Sequence, residues 1–167
     1  SYEVMNQHVS FLFTSLLTDD CIARGKALLD GGVRYLGGTN ETYGNINTSD
    51  SLWVIRDLVF NQKKYTLRQL NDAMLANFNG YEALRKDCLN CDKYGNDLET
   101  ADTMANDLYE FVAKGVRNRG IAIGMQYFLI VISNNQLNTE WGNRTAASPD
   151  GRLSCICLLY TSDAADE

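Results

Sequence analysis

Proline and histidine are almost missing from this sequence, which contains one of each in 167 residues. The single histidine, His8, has no nearby cysteine or acid with which to form a catalytic relay. No apolar run is long enough to cross a bilayer, and the N-terminal sequence SYEVMNQHVS lacks the basic-then-apolar order of a signal peptide. Lysine and arginine are scattered, whereas nucleic-acid-binding proteins carry a basic stripe. These absences argue against a histidine relay, a membrane protein and a nucleic-acid-binding protein.

The composition that remains is that of an ordinary soluble globular domain, with 45% hydrophobic and 22% charged residues. The formal net charge is -6, and removing the three acids at 163, 166 and 167 leaves -3, which is too mild to indicate a partner. The chain shows no secretory signal, so its thiols are expected to be reduced and the protein cytoplasmic. Outside the last residues the cysteines are Cys21, Cys88, Cys91 and Cys155.

The C-terminal sequence CLLYTSDAADE, residues 157–167, has an unusual origin. One permitted codon string for it matches the transposase adapter used to prepare sequencing libraries, read as though it were coding. We therefore predict that residues 157–167 are the translation of an adapter and are not native sequence. The chain starts at Ser1 without a methionine, so both ends are expected to be breaks in a longer reading frame.

Most of the sequence has the periodicity of amphipathic helices. Two strand-like runs stand between them, VRYL at residues 33–36 and YFLIVIS at residues 127–133. Two strands cannot form an independent stable sheet, so the pattern predicts a helix-rich slice of a larger α/β fold. Helices are predicted at approximately residues 2–17, 19–29, 51–60, 66–78, 81–91 and 99–119.

Two local signals define helix starts in the middle of the chain. The run GGTNETYGNINTSD, residues 37–50, gathers glycine, asparagine and threonine and is predicted to be a long loop. Asp50 at its end is placed to cap the helix that follows. Thr66, with Gln69 three residues later, has the spacing of a capping box.

Five blocks of the sequence carry a family likeness. They are GGVRY, DSLWVIRDLVF, LANFNGYEALR, KYGND and TAASPDGR, in this order between approximately residues 11 and 154. In order and spacing they resemble the glycyl radical enzymes, which include pyruvate formate-lyase, the glycerol and diol dehydratases and choline trimethylamine-lyase.

The resemblance implies a ten-stranded barrel built from two antiparallel half-barrels and ringed by helices, of which residues 1–156 would be a partial domain. A backbone glycyl radical would be installed by a separate activase that uses S-adenosylmethionine and an iron-sulfur cluster. A cysteine in the barrel would become the thiyl radical that attacks a small-molecule substrate. Neither the GCxE-type cysteine loop nor the RVxGY-type glycine loop occurs in this sequence. The chain is therefore expected to be inactive alone and to contribute no catalytic residue.

The resemblance thus implies a fragment of a homodimeric anaerobic enzyme that is either a dehydratase or related lyase, or a formate-forming acyltransferase. A different class of function is also compatible with the helical pattern: a non-catalytic helical interaction module that would fold alone as a closed monomer.

Three prominent motifs are expected to be structural. Cys88 and Cys91 form a lone CxxC, and a zinc site needs about four ligands, so Cys88 is expected to pack on a helix face with Cys91 at the helix end. In KYGND, Gly95 is expected to adopt a left-handed conformation in a turn that ends the helix. In SPDGR, Arg152 can make paired hydrogen bonds to a carboxylate or to backbone carbonyls. Cys21 is expected to be buried on a helix.

Substrate-binding residues are predicted on one strand only. Counting back from Gly142, the strand that lines the substrate cavity in the family falls near residues 131–137. Side chains alternate along a strand, so Ser133 and Asn135 would point into the barrel together. A register shifted by one residue would instead bring Ile132 or Asn134 inward.

Overall fold

Helices dominate the computed structural model of the chain, which describes residues 2–9, 11–122, 125, 127–132 and 135–158. The described residues form two compact units, the first from residues 1–40 and 115–130 and the second from residues 41–114 and 131–167. The predicted helix-rich architecture is confirmed. The α-helices are α1 (Tyr2–His8), α2 (Leu12–Leu16), α3 (Cys21–Arg24), α4 (Asn45–Val54), α5 (Leu67–Leu75), α6 (Glu82–Asn90), α7 (Glu99–Ala122) and α8 (Asn135–Asn143).

Two short strands, β1 (Gly37–Thr42) and β2 (Tyr127–Ile132), pair in a two-stranded sheet. β2 confirms the prediction for YFLIVIS. The prediction for VRYL is wrong, because residues 33–35 form bends, residue 36 has no regular structure, and the strand lies in the following glycine-rich run. The Arg24 guanidinium donates to the carbonyl oxygens of Gly31 and Val33, at 3.4 and 3.3 Å, and so occupies the acceptor of the first residue of the predicted strand.

In the first unit, α2 buries a polar side chain and exposes its apolar side chains. In α2 the buried side chain is Ser15, whose hydroxyl accepts a hydrogen bond from the Leu28 backbone N–H at 2.9 Å and donates to the Phe11 carbonyl at 2.8 Å. The large apolar side chains of this region are mostly exposed instead, with Phe13 at 76% and Leu17 at 73%. Cys21 behaves as predicted, since it is buried at the start of α3.

The second unit begins with α4, which starts six residues earlier than the sequence predicts. Gly44, with φ of 71°, precedes the helix, and its carbonyl accepts the Thr48 N–H. The predicted long loop and the predicted cap at Asp50 are therefore wrong: Asp50 lies inside α4 and is buried. The helix continues directly into a π-helical segment, Ile55–Asn61.

The apolar core of the second unit joins this long helix to α5 and α6. Its buried members are Val54, Leu58, Leu70, Ala73, Phe78, Leu84 and Cys88. The predicted packing of Cys88 on a face of α6 is confirmed, because Cys88 is buried in this core together with Leu84. The capping box is also confirmed: the Thr66 hydroxyl accepts the Gln69 N–H at 3.2 Å, and the Gln69 side chain accepts the Thr66 N–H at 2.9 Å.

Helix α8 was not predicted from the sequence. The chain after it returns against the helix, because a Cβ atom added to Gly142 would lie 2.4 Å from the Ile156 carbonyl oxygen. Leu158 is buried beside Gly44. The adapter origin of residues 157–167 stays a prediction, and most of that segment lies outside the described residues. Within the described part of the chain, no helix has the length and apolar character needed to cross a membrane.

The capping box gives a direct test of local helix stability. We expect Thr66→Ala to lower the free energy of unfolding by about 1 kcal/mol, because the Gln69 N–H loses its acceptor. Urea unfolding followed by circular dichroism measures the change. Thr103→Ala, at an exposed position inside α7, is the control and should be neutral or slightly stabilising. Equal effects of the two substitutions would contradict the role of the capping box.

Candidate functional site

Buried polar side chains are concentrated at one place in the second unit. We define the polar cluster as Asn47 and Asp50 of α4, Lys93 of the KYGND turn, and Asp150 and Arg152 of the PDGR turn. All five are at least nine-tenths buried. Since buried charges are costly unless bonded, the arrangement of hydrogen bonds decides what this cluster can do.

Asn47 connects α4 to the PDGR turn. Its side-chain amide donates to an Asp150 carboxylate oxygen at 2.9 Å. The other Asp150 oxygen accepts from the Ser148 hydroxyl and, at 3.3 Å, from the Arg152 backbone N–H. Gly151, with φ of 94°, closes the turn, and its carbonyl accepts from the Arg85 guanidinium at 2.9 Å. The turn is thus fixed by residues of α4 and α6.

Arg152 is enclosed by acceptors from its own segment. Its guanidinium donates to the carbonyl oxygens of Leu153 and Ile156, at 3.2 and 2.9 Å, to that of Ala146, and to the Ser148 hydroxyl at 3.2 Å. These bonds confirm the predicted pairing with backbone carbonyls. Burial lowers the pKa of Arg152. A cation whose donors are occupied in this way holds a loop in shape, and we name this arrangement the arginine cage.

The KYGND turn is held by two members of the cluster. The Tyr94 backbone N–H donates to Asp50 Oδ1 at 3.0 Å. The Lys93 ammonium donates to the carbonyl oxygens of Cys88 and Cys91, at 2.6 and 3.0 Å, and so satisfies acceptors at the C-terminal end of α6. Gly95 has φ of 92°, which confirms its predicted left-handed conformation.

Asp50 is the most unusual ionisable group of the cluster. Burial raises its pKa to about 6, and the nearby Asp150 carboxylate acts in the same direction, while the Tyr94 N–H and the Lys93 ammonium oppose the rise. A carboxyl group with this pKa exchanges its proton near neutral pH. From the sequence, Asp50 is predicted only as a helix cap, because its hydrogen-bond partner lies 44 residues away and leaves no local signal of a raised pKa.

The cysteines of the CxxC motif are unsuited to nucleophilic chemistry. Burial raises the pKa of Cys88 to about 12 and that of Cys91 to about 11. Their expected places are confirmed, with Cys88 buried on α6 and Cys91 directly after the helix. In the described ranges, no three His, Cys, Asp or Glu residues are grouped as they would be around a metal ion.

The two predicted substrate-binding residues are not tested by the structure. Ser133 lies outside the described residues. Asn135 is the first residue of α8, and β2 as described ends at Ile132. The inward orientation of Ser133 and Asn135 stays a prediction.

A cavity of about 410 Å³ adjoins the polar cluster in the second unit. Asn47, Ser148 and Arg152 form part of its wall, together with the tryptophan of α8 and the start of α4. Besides Asn47, Ser148 and Arg152, the cavity is lined by Tyr43, Gly44, Thr48, Ser51, Leu52, Trp141, Thr145 and Leu158.

Comparison with known proteins shows the family of the chain. The family model described as pyruvate formate lyase-like matches residues 1–137. The chain belongs to the pyruvate formate lyase-like family. Its relatives in this superfamily are glycyl radical enzymes.

Two dehydratases are similar to this chain in sequence and in structure. Trans-4-hydroxy-L-proline dehydratase of Clostridioides difficile is 33% identical over 148 residues, which are 88% of this chain and 19% of that protein. The solved structure of this dehydratase with its substrate superposes with a TM-score of 0.87 at 30% identity, covering 94% of this chain and 20% of that one. The B12-independent glycerol dehydratase of Clostridium butyricum gives a TM-score of 0.84 at 28% identity, covering 93% and 20%. The chain therefore spans about a fifth of the length of these relatives.

The pKa of Asp50 predicts a specific pH dependence of stability. Because the folded pKa of about 6 lies above the ordinary value of 3.8, the protonated carboxyl favours the fold below about pH 4, and this contribution is lost as the pH rises through 6. The difference corresponds to at most about 3 kcal/mol. Asp50→Asn keeps an acceptor for the Tyr94 N–H and cannot ionise, so its stability relative to the wild type should increase between pH 4 and pH 7.

Urea unfolding of both proteins at pH 4, 5, 6 and 7 measures this difference. Asp107→Asn, at an exposed position on α7, is the matched control and should follow the wild type across the whole range. If the curves for wild type and Asp50→Asn run parallel, Asp50 does not titrate in the folded protein as described.

The cysteines should differ strongly in reactivity. With raised pKa values, Cys88 and Cys91 should react with iodoacetamide at pH 8 at least about 10-fold more slowly in the native chain than in the chain unfolded in urea. The exposed Cys155 should react readily in both. Peptide mass spectrometry after timed quenching measures each site. Equal labelling of Cys88 and Cys155 in the native chain would refute the buried environment of the CxxC motif.

Proposed function

We propose that the chain is a helix-rich slice of the ten-stranded barrel of a glycyl radical enzyme, and that the intact enzyme is a dehydratase or a related lyase. The observation that carries this proposal is the match over most of the chain to trans-4-hydroxy-L-proline dehydratase and glycerol dehydratase. These relatives favour dehydration of a hydroxylated small molecule over formate-forming acyl transfer.

The contribution of this segment to such an enzyme is architectural. Three of the family-like blocks meet in the polar cluster, where α4 holds the KYGND turn through Asp50 and the PDGR turn through Asn47. The bonds of Lys93 and Arg152 are made to carbonyl oxygens, which leaves these cations occupied in shaping turns. We assign no catalytic residue to the chain, and Ser133 and Asn135 are proposed to contact substrate.

The exposed apolar side chains of the first unit support a place inside a larger protein. α2 buries a serine and exposes leucine and phenylalanine, which is the reverse of a helix on the surface of a free domain. An apolar face of this kind marks a surface that another part of a protein covers. This observation favours the barrel slice over a self-contained helical module.

The radical chemistry of the proposed enzyme would require residues outside these 167. The sequence contains neither the cysteine loop nor the radical glycine loop, so the residues present do not fit the glycyl radical group, and no reaction step is assigned to them. We propose that a separate activase with S-adenosylmethionine and an iron-sulfur cluster serves the intact homodimer. Residues 1–156 would be native sequence of that enzyme, and residues 157–167 would not.

Sequencing the genomic DNA on both sides of this segment, followed by anaerobic expression of the complete gene, tests the proposal. One reading frame should encode a thiol loop upstream and a glycine loop downstream. After activation, the full-length enzyme should give the electron paramagnetic resonance signal of a glycyl radical and dehydrate a member of a panel of diols and hydroxylated amino acids. A variant with alanine at the radical glycine is the control, and the 167-residue chain should show neither signal nor turnover. A complete gene lacking either loop would refute the proposal.

A further inference from the structure

Two polar atoms enclosed within α4 have complementary hydrogen-bonding needs. Asp50 Oδ2 is an acceptor, and Trp53 Nε1–H is a donor. Both atoms are fully enclosed, and neither has a hydrogen-bond partner in the described part of the chain. Buried polar groups of native proteins are nearly always bonded, either to protein or to ordered water, so each of these atoms requires a partner.

Asp50 and Trp53 are three residues apart on α4, so their side chains leave the same face of the helix. Residues three apart on a helix lie on the same face, with Cβ atoms about 5–6 Å apart. No direct hydrogen bond joins the two side chains, since both atoms remain without a partner at hydrogen-bonding distance. A single small molecule that both accepts and donates can satisfy both atoms at once.

Neither of the neighbouring cations, Lys93 and Arg56, bonds Asp50 Oδ2. The Lys93 ammonium is bonded to the Cys88 and Cys91 carbonyls. The Arg56 guanidinium carbon lies over the Trp53 ring, 6.0 Å from the centroid, and so contacts the face of the ring. The indole N–H of Trp53 points outward from the ring edge instead. The indole donor also disfavours a bound cation, which would need acceptors on every side.

We propose that one water molecule is bound inside α4's buried face, where it accepts a hydrogen bond from Trp53 Nε1–H and donates one to Asp50 Oδ2. With this water, both oxygens of the Asp50 carboxylate are bonded, one to the Tyr94 N–H and one to the water. The polar cluster then extends along α4 as far as Trp53. This inference is independent of the proposed enzymatic function.

The chain contains a well-matched internal control. It has two tryptophans, and each has an arginine three residues later whose guanidinium carbon lies 6.0 Å from the ring centroid, Arg56 for Trp53 and Arg144 for Trp141. The Trp141 side chain belongs to a residue that is 48% exposed, whereas the Trp53 Nε1 atom is enclosed. A difference between the two indole N–H groups therefore reports on the enclosed site and not on the arginine contact.

Nuclear magnetic resonance of the full chain labelled with ¹⁵N-tryptophan tests the proposal. Trp53→Phe and Trp141→Phe assign the two indole signals, and either variant alone is sufficient because only two signals exist. We expect a rotating-frame cross-peak between the Trp53 indole proton and a long-lived water. We also expect hydrogen exchange of that proton to be at least about 10-fold slower than that of Trp141.

Three outcomes would overturn the inference. Absence of the water cross-peak at Trp53, with slow exchange retained, would show a dry site or a direct bond to the carboxylate. Equal exchange of the two indole protons would show that the Trp53 N–H is open to solvent. Two indole signals at unfolded positions would show that the enclosed site does not form in this chain.

Discussion

The second unit depends on two hydrogen bonds made by residues one helical turn apart on α4. The Asn47 amide holds the carboxylate of Asp150, and the Asp50 carboxylate holds the Tyr94 N–H. The Asn47–Asp150 bond is buried and the Asp50–Tyr94 bond is partly buried, so water cannot replace the Asp150 carboxylate without opening the packing around it. Through them one helix face sets the positions of two turns that are separated by more than fifty residues of sequence.

These two hydrogen bonds also explain why polar side chains are buried in the first half of α4. Asn47, Ser49 and Asp50 are buried in α4, where an apolar stripe would be expected of a core-facing helix. The apolar core begins only at Val54 and continues through Leu58 into the π-helical segment. The first half of the long helix therefore specifies where the turns lie, and the second half supplies the hydrophobic packing with α5 and α6.

The sequence predicts those features of the fold whose causes are local. The capping box at Thr66 and Gln69, the buried face of α6 and the left-handed Gly95 all depend on residues within a few positions of one another. The start of α4 depends instead on partners 103 residues away for Asn47 and 44 residues away for Asp50. Without those partners, the run of asparagine, threonine, serine and aspartate has the composition of a loop, because these side chains compete for the backbone. The raised pKa of Asp50 could not be predicted for the same reason, because it depends on burial by residues distant in the sequence. The family blocks located the turns of the polar cluster, but their spacing could not show which atoms meet.

The arginine cage has a consequence for the order in which contacts can form. Its four bonds close segments of six residues or fewer, between Ala146 and Ile156. The Asn47–Asp150 bond closes a segment of 103 residues. By the logarithmic dependence of closure entropy on length, the long closure costs about 2.5 kcal/mol more than a six-residue one. The cage is thus a low-contact-order element that can form before the helix docks onto it, and it presents Asp150 to Asn47 in a shape already set.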